Sequence, residues 1–298
     1  MSAARPVWRQ SRARVVRQDD HGAGHRWLEL EVKPPFAPPR PGQFVQLRLP
    51  SVANPVLLPR PMSVASVARS RGALRLGFLY APIGLGTRAL AGLGAGSEVE
   101  LLGPLGRGFP LDHSGTPVLL AGGRGVAPML FAADVLARRT RSGRAPRPAV
   151  LLFGARGRAQ LVGLEDAHRR LATLGGRLHV CTEDGSAGPR GNVVQLLERV
   201  TPGLAGPLVL HACGPHTMLR AVALWSLEHG VPAFLAMESM MACGTGVCRG
   251  CPLPRSARAR AAYDPVSAPS LHGNREWAMC CTEGPVFAAE DLDWEHIS

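Results

Sequence analysis

Hydrophobic and polar positions change their rhythm partway along this chain. Through its first hundred residues the apolar positions come in short runs. These are Ala13 to Arg17, Trp27 to Val32, Phe44 to Leu49, Met62 to Val67, Ala73 to Tyr80 and Glu98 to Leu102. Each has four to eight residues and is bounded by turn formers, the pattern of an all-β barrel or sandwich. The prolines at 34, 35, 38, 39 and 41 belong in a loop, because proline cannot donate to a central strand. After Gly115 the runs become continuously apolar: Pro117 to Ala121, Ala149 to Phe153, Arg177 to Cys181, Pro207 to Ala212 and Ala233 to Met237. Helical stretches at Ala127 to Arg139, Leu164 to Leu174, Val193 to Val200 and Met218 to His229 separate most of them. Buried strands alternating with helices predict βαβ units and an open parallel sheet. The last sixty residues keep neither rhythm, and no internal repeat is present. Three parts are therefore expected, over 1–112, 113–236 and 237–298.

Composition narrows the class. With 298 residues, 46% of them hydrophobic and 19% charged, the chain is expected to be globular. No run of about 18 apolar residues predicts a membrane helix. The basic start, MSAARPVWRQSRAR, is not followed by the apolar stretch of a secretory signal, so a cytoplasmic location is expected. The net charge of +12 raises the question of nucleic acid. Lys33 is the sole lysine, however, and the arginines are scattered apart from clusters at Arg138 to Arg147 and Arg255 to Arg260. Basic patches interleaved with aromatics are missing, which disfavours nucleic acid and favours an acidic cofactor or protein partner.

Seven cysteines, five of them in the last fifth of the chain, suit metal ligation better than a disulfide framework. Cys243-Gly-Thr-Gly-Val-Cys248-Arg-Gly-Cys251 has the C-x4-C-x2-C spacing of a two-iron, two-sulfur cluster, with a fourth cysteine downstream. Gly244, Gly246 and Gly250 permit tight winding and close approach of backbone N–H groups to sulfur. Structural zinc, the alternative, usually shows two C-x2-C knuckles. Cys280 and Cys281 compete for the fourth position. Neighbours in an extended segment point apart, so one should ligate. Cys281, which precedes a Thr-Glu-Gly-Pro turn, is favoured, with Cys280 a packed free thiol.

Three further motifs suit phosphate-bearing ligands. Arg60-Pro61-Met62-Ser63 sets an arginine and a hydroxyl three residues apart, able to meet a phosphate and a ring nitrogen of one ligand. Gly84-Leu-Gly86-Thr87 is a glycine turn into a short helix, whose N–H groups and hydroxyl suit a pyrophosphate. Gly122-Gly123-Arg124-Gly125 follows an apolar strand and opens a helix, as a dinucleotide phosphate loop does, although it is not G-x-G-x-x-G. Cys213-Gly214-Pro215 ends another strand, where ligands gather in open sheets. Cys181 and Cys213 read otherwise as buried small apolar residues, and His113, His211 and His216 as structural or surface residues.

In this order the motifs resemble the ferredoxin–NADP reductase superfamily, and within it the electron-transfer subunits of type B dihydroorotate dehydrogenase. The resemblance runs from about Arg12 and is carried most specifically by Glu238-Ser-Met-Met-Ala-Cys243 and Cys281-Thr-Glu-Gly-Pro-Val-Phe287. It implies a β-barrel FAD domain (1–112), an α/β domain for NAD(H) (113–236) and a small [2Fe-2S] domain (237–298). Arg60 and Ser63, with Pro61 and Met62 between them, would hold and tune FAD, and Gly86 and Thr87 its phosphates. Gly122, Gly123, Arg124 and Gly125, with Cys213, Gly214 and Pro215, would admit the nicotinamide dinucleotide. Cys243, Cys248, Cys251 and Cys281 would ligate the cluster. The implied partner is an FMN-containing dihydroorotate dehydrogenase catalytic subunit. The chain departs from the family at Arg124, usually a small or aliphatic position, and in a longer, more basic Pro252–Met279 connection. Two rival readings remain: the same module serving a hydrogenase, sulfide dehydrogenase or transhydrogenase, and a basic redox sensor that binds nucleic acid.

Overall fold

A computed structural model describes residues 8–50, 56–142, 148–173, 175–265 and 273–297. Its first part is a seven-stranded antiparallel sheet curved into a half-barrel, in the order β4-β3-β7-β1-β2-β6-β5. The strands are β1 (Arg9–Gly22), β2 (His25–Val32), β3 (Phe44–Arg48), β4 (Arg60–Ser63), β5 (Ser66–Ser70), β6 (Ala73–Tyr80) and β7 (Glu98–Leu105). The run expected as one strand, Met62 to Val67, is two. Val64 and Ala65 are wholly buried, so the apolar pattern looks continuous while the chain changes partner. Val64 N–H donates to Gln43 O at 3.3 Å, and Ala65 N–H to Gly77 O at 2.8 Å, on opposite edges of the barrel. The barrel core is built on Leu28, Leu30, Leu76, Phe78 and Leu101, and short helix α1 (Leu85–Ala91) covers it through Leu90.

The second sheet has the order β10-β9-β8-β11-β12-β15. It comprises β8 (Thr116–Gly122), β9 (Val150–Ala155), β10 (Arg177–Thr182), β11 (Leu208–Cys213), β12 (Ala233–Ala236) and β15 (Val286–Ala288). Every residue of β8 and β11 is buried, which marks them as the central pair. Helices α2 (Val126–Arg141) and α3 (Leu164–Thr173) pack on one face, and α4 (Val193–Val200) and α5 (His216–His229) on the other. The strand order turns back between β8 and β11, and open α/β sheets bind ligands beyond the carboxyl ends at such a switch point. Helix α4 begins where sequence rules place it: Asn192 Oδ1 accepts from Val194 N–H and Gln195 N–H, both at 3.0 Å. Arg170 of α3 pairs with Asp134 of α2 at 2.5 Å, anchoring α3 to α2 close beside the barrel.

The expected all-parallel sheet is corrected by β15, which joins β12 antiparallel from the C-terminal segment. Three residues are too few to register as a periodic signal. The rest of that segment is a ribbon of β13 (Pro252–Pro254) and β14 (Trp277–Met279), the short helix α6 (Ala257–Ala261) and the single-turn helix α7 (Cys280–Glu283). Its Cys251, Leu253, Cys280, Cys281 and Trp294 share one core with α4 and α5. Leu174, the expected end of α3, lies outside the described residues, as do Arg144 and Arg147 of the expected arginine cluster. Among the described residues no helix is long and apolar enough to cross a membrane.

Where barrel meets sheet, His211 of β11 is fully buried between the rings of Phe109 and Phe234. Its Nε2 lies 3.0 Å from His113 Nε2. Burial, and secondly the neighbouring imidazole, hold its pKa down to about 3 from an ordinary 6.5. Above the ordinary value the residue is neutral folded or unfolded and favours neither state. Below it the unfolded chain takes up a proton that the folded chain refuses, so stability falls as pH drops from 6.5 toward 3. The slope from this residue is at most about 1.4 kcal/mol per pH unit. Urea denaturation over that range should show the loss, and His211→Leu should flatten it.

Candidate functional site

Two neighbouring cavities open at the switch point, with Arg124 and Glu238 in the walls of both. The larger, about 610 Å³, lies beyond the carboxyl ends of β8, β9 and β11. Gly122, Gly123, Arg124 and Gly125 line one side, and Gly214 and Pro215 the other. The two loops stand back to back because Gly122 and Gly125 carry no side chain at the contact. A Cβ on Gly125 would lie 2.0 Å from Cys213 O, and one on Gly122 2.6 Å from Met218 Sδ. Gly123 has φ +53°, which turns the chain into the helix. Arg156, Glu183, Asn192 and Thr217 complete this cavity. Glu183 was assigned no role from sequence. The usable signal was its place just past the carboxyl end of a parallel strand.

The second cavity, about 290 Å³, lies between the barrel and the sheet. Arg60, Pro61, Met62, Ser63 and Thr87 line it on the barrel side, and Arg124 and Cys213 on the sheet side. Met62 is buried in the barrel core, whereas Ser63 is exposed on the neighbouring position of the strand. Gly86 lets Arg60 pass: a Cβ there would sit 2.7 Å from Arg60 Nε. The glycine leaves room beside the guanidinium, and a cavity walled by Arg60 and Arg124 fits an anionic dinucleotide. The Thr87 hydroxyl, expected to receive phosphate, is already engaged; it accepts from Gly84 N–H at 3.0 Å and donates to Gly84 O at 3.1 Å. It therefore braces the glycine turn. Tyr80, on the cavity wall, donates to Gln18 Oε1, and Gln18 Nε2 donates to Leu93 O at 2.9 Å and Leu90 O at 3.1 Å beyond and within α1. Burial pushes the Tyr80 phenol up to about 12, so it stays a donor. Burial, followed by the Glu238 carboxylate, pushes the Cys213 thiol up, and it stays protonated. Neither Gln18 nor Glu238 was marked as a site residue by sequence, since a lone amide or carboxylate carries no spacing signal.

All seven cysteines are free thiols. Four of them lie in and beside a wound loop with positive φ at Gly244, Gly246 and Arg249. Among the described residues no set of three or more His, Cys, Asp or Glu is arranged to hold a metal ion as it stands. The cysteines form two pairs instead. Cys243 accepts hydrogen bonds from Cys248, and the sulfurs of Cys251 and Cys281 are 3.3 Å apart. Backbone N–H groups turn toward these sulfurs: Thr245 to Cys243 at 3.4 Å, Gly250 to Cys248 at 3.5 Å and Cys281 to Cys251 at 3.4 Å. Burial pushes the Cys243 thiol up, but the hydrogen bonds from Cys248 and Thr245 outweigh it and bring it to about 6. The hydrogen bond with Cys281 draws Cys251 down to about 7 and pushes Cys281 up. Two sulfur pairs with N–H donors around them suit a two-iron cluster.

Cys280 and Cys281 do not sit in an extended strand as expected; they begin α7, so their side chains diverge around a helical turn. Cys280 turns away, 3.7 Å from Met237 O, and burial pushes its thiol up. The turn is fastened by Glu283, which accepts from Met279 N–H at 2.9 Å and pairs with Arg255. Arg255 also donates to Asn274 O at 2.8 Å and lies over the Tyr263 ring. The start of the long basic connection is thus tied to the α7 turn by a nearly buried ion pair.

Comparison with known proteins agrees with this geometry. The family model described as an oxidoreductase NAD-binding domain matches residues 119–223. The electron transfer subunit of dihydroorotate dehydrogenase B (NAD(+)) from Shouchella clausii is 32% identical over 287 residues, covering 95% of this chain and 98% of that protein. The corresponding subunit from Desulforamulus reducens is 31% identical over 256 residues, covering 86% and 87%. This chain belongs to that family. Among solved structures, an NADH-dependent reduced ferredoxin–NADP oxidoreductase described for flavin-based electron bifurcation superposes with a TM-score of 0.73 at 22% identity, over 99% of this chain and 92% of that one. A ferredoxin–NADP+ reductase from Neisseria gonorrhoeae with bound FAD and NADP gives 0.59 at 18%, over 74% and 92%. These two likenesses show the fold of this chain.

Two substitutions test the packing of the site. Gly125→Ala forces the back-to-back loops apart and should cost about 1–3 kcal/mol in thermal or urea denaturation, the usual price of overpacking. Glu283→Ala leaves Arg255 buried without its partner and should cost about 3–5 kcal/mol in the same measurement.

Proposed function

We propose that this chain relays electrons between NAD(H) and an FMN-containing dihydroorotate dehydrogenase catalytic subunit in pyrimidine biosynthesis, through FAD on the barrel and a [2Fe-2S] cluster in the C-terminal segment. The observation that carries the reading is the meeting of the two cavities at Arg124 and Glu238, with Met241 of the cysteine-bearing segment in the wall of the barrel-side cavity. When bound, the flavin and cluster supply the redox chemistry, converting a two-electron hydride into single electrons or the reverse.

The chain's own residues supply binding and separation. Arg60 offers a charge-assisted bond to an FAD phosphate, and Ser63 a hydroxyl to the ring. Gly86 and the turn braced by Thr87 leave room for the pyrophosphate. The loops of Gly122 to Gly125 and Cys213 to Pro215 admit the nicotinamide dinucleotide, and Arg124 neutralises part of its charge. Cys243 and Cys248 would hold one iron, and Cys251 and Cys281 the other. No acid–base side chain is needed for hydride transfer, so the pair of His113 and buried His211 stays outside the chemistry. The partner is inferred from the names of the relatives, which describe electron-transfer subunits.

Anaerobically purified protein should carry about one FAD and two irons with acid-labile sulfide, as four cysteine ligands require. NADH should bleach both chromophores, and orotate should reoxidise them only when the catalytic subunit is added. Zinc without sulfide would sink the reading. Arg60→Ala should lose roughly 1.5–3 kcal/mol of FAD affinity while keeping the cluster. Cys281→Ser should abolish the cluster spectrum and Cys280→Ser leave it nearly intact; the opposite result would reassign the fourth ligand.

A further inference from the structure

Gln46 is a polar side chain only 1% exposed, placed where the barrel meets the cysteine-bearing segment. It lies on β3, opposite Pro61 in the pairing with β4, and so across from the motif that lines the barrel-side cavity. The register between β3 and β7 slips between Phe44 and Gln46. Such a bulge re-aims the side chains that follow it. Gln46 Nε2 donates to Met241 O at 2.7 Å, a bond spanning 195 positions of sequence. Two residues beyond Met241 comes Cys243. One residue later, Gly244 (φ +74°) packs so closely that a Cβ on it would lie 2.9 Å from Gln46 Cγ and 3.0 Å from Nε2. The amide therefore grips the chain on both sides of the first cysteine. Met241 is itself a wall of the barrel-side cavity, so one side chain references that wall and the cysteine loop to a single strand. The Oε1 atom has no hydrogen-bond partner among the described residues. A buried polar group left half satisfied costs stability, and an apolar residue of equal volume would avoid that cost. Packing alone does not account for an amide here.

We propose that Gln46 is a positioning residue that sets the separation between the flavin site and the cluster loop, and thereby the rate of single-electron passage between them. The proposal rests on the relay reading above. With both groups bound, their separation would govern how readily a single electron passes from the reduced flavin to the oxidised cluster. Removing the donor should leave both groups bound while the loop moves by a fraction of an ångström or more.

The test compares Gln46→Met, which keeps the volume and loses the donor, with Leu47→Met, a neighbour facing the barrel core. Flavin and iron contents, bleaching of flavin and then cluster after rapid anaerobic mixing with NADH, and hydrogen exchange of amides 241–246 are measured on the full chain. Expected in Gln46→Met are unchanged contents, unchanged flavin bleaching, faster exchange at 241–246, and cluster reduction slowed roughly tenfold or more, as small misplacements at reacting centres do. Leu47→Met should move none of the last two. Cluster reduction and exchange in Gln46→Met equal to those of Leu47→Met would overturn the proposal while leaving the relay intact. An unmutated chain that binds FAD but assembles no cluster would overturn the relay reading, and the proposal with it. If Gln46→Met fails to retain either group, Gln46→Asn, which withdraws the donor by one methylene, is read against the same outcomes.

Discussion

The close approach of Gly125 to the Cys213 carbonyl is the constraint on which both cavities depend. It joins the end of β8 to the end of β11, and a Cβ at 2.0 Å would separate them. With the loops in contact, Arg124 stands at the boundary of the two cavities, and Cys213 faces one while Gly214 and Pro215 face the other. The sheet thus presents one edge to both cavities, and the barrel closes the second against that edge.

Much of this was legible in sequence, because the residues concerned act locally. The strand Ala73 to Tyr80 and the helix Val193 to Val200 coincide with the observed elements, being runs bounded by turn formers or a capping asparagine. The glycine loops were visible because glycine is the only residue that survives such approaches, and the cysteine loop because its spacing is short. What escaped notice depends on distant partners. Gln46 meets Met241 across 195 positions, and Glu238, prominent in sequence only as part of a motif, takes its place in two cavity walls only where those cavities converge. The division at Val64 and Ala65 was hidden because burial continues while hydrogen-bond partners change. The extended geometry expected at Cys280 and Cys281 gave way to a helical turn for the same kind of reason: Arg255 and Glu283 fasten it from 28 positions apart.

Arg75 pairs with Glu29, Arg170 with Asp134, Arg255 with Glu283 and Arg258 with Glu290, so these four arginines are structural ties. Each such pair is neutral, so the net charge of +12 rests on arginines beyond them. Exposed pairs of this sort contribute little each, whereas the nearly buried Arg255–Glu283 pair is costly to break. Arg60 and Arg124 stand at the cavities, where positive charge suits dinucleotide phosphates.

The pairing of β15 with β12 has a consequence for the birth of the molecule on the ribosome. Strand β12 is made some fifty residues before Val286–Ala288 arrives to cover it. Throughout that interval one flank of the sheet offers unpaired N–H and C=O groups to any passing chain, a known route to aggregation. The same late strand follows directly on the turn bearing Cys281. Completion of the sheet and arrival of the last cysteine therefore coincide, and a nascent chain acquires its final edge and its last thiol in a single closing event.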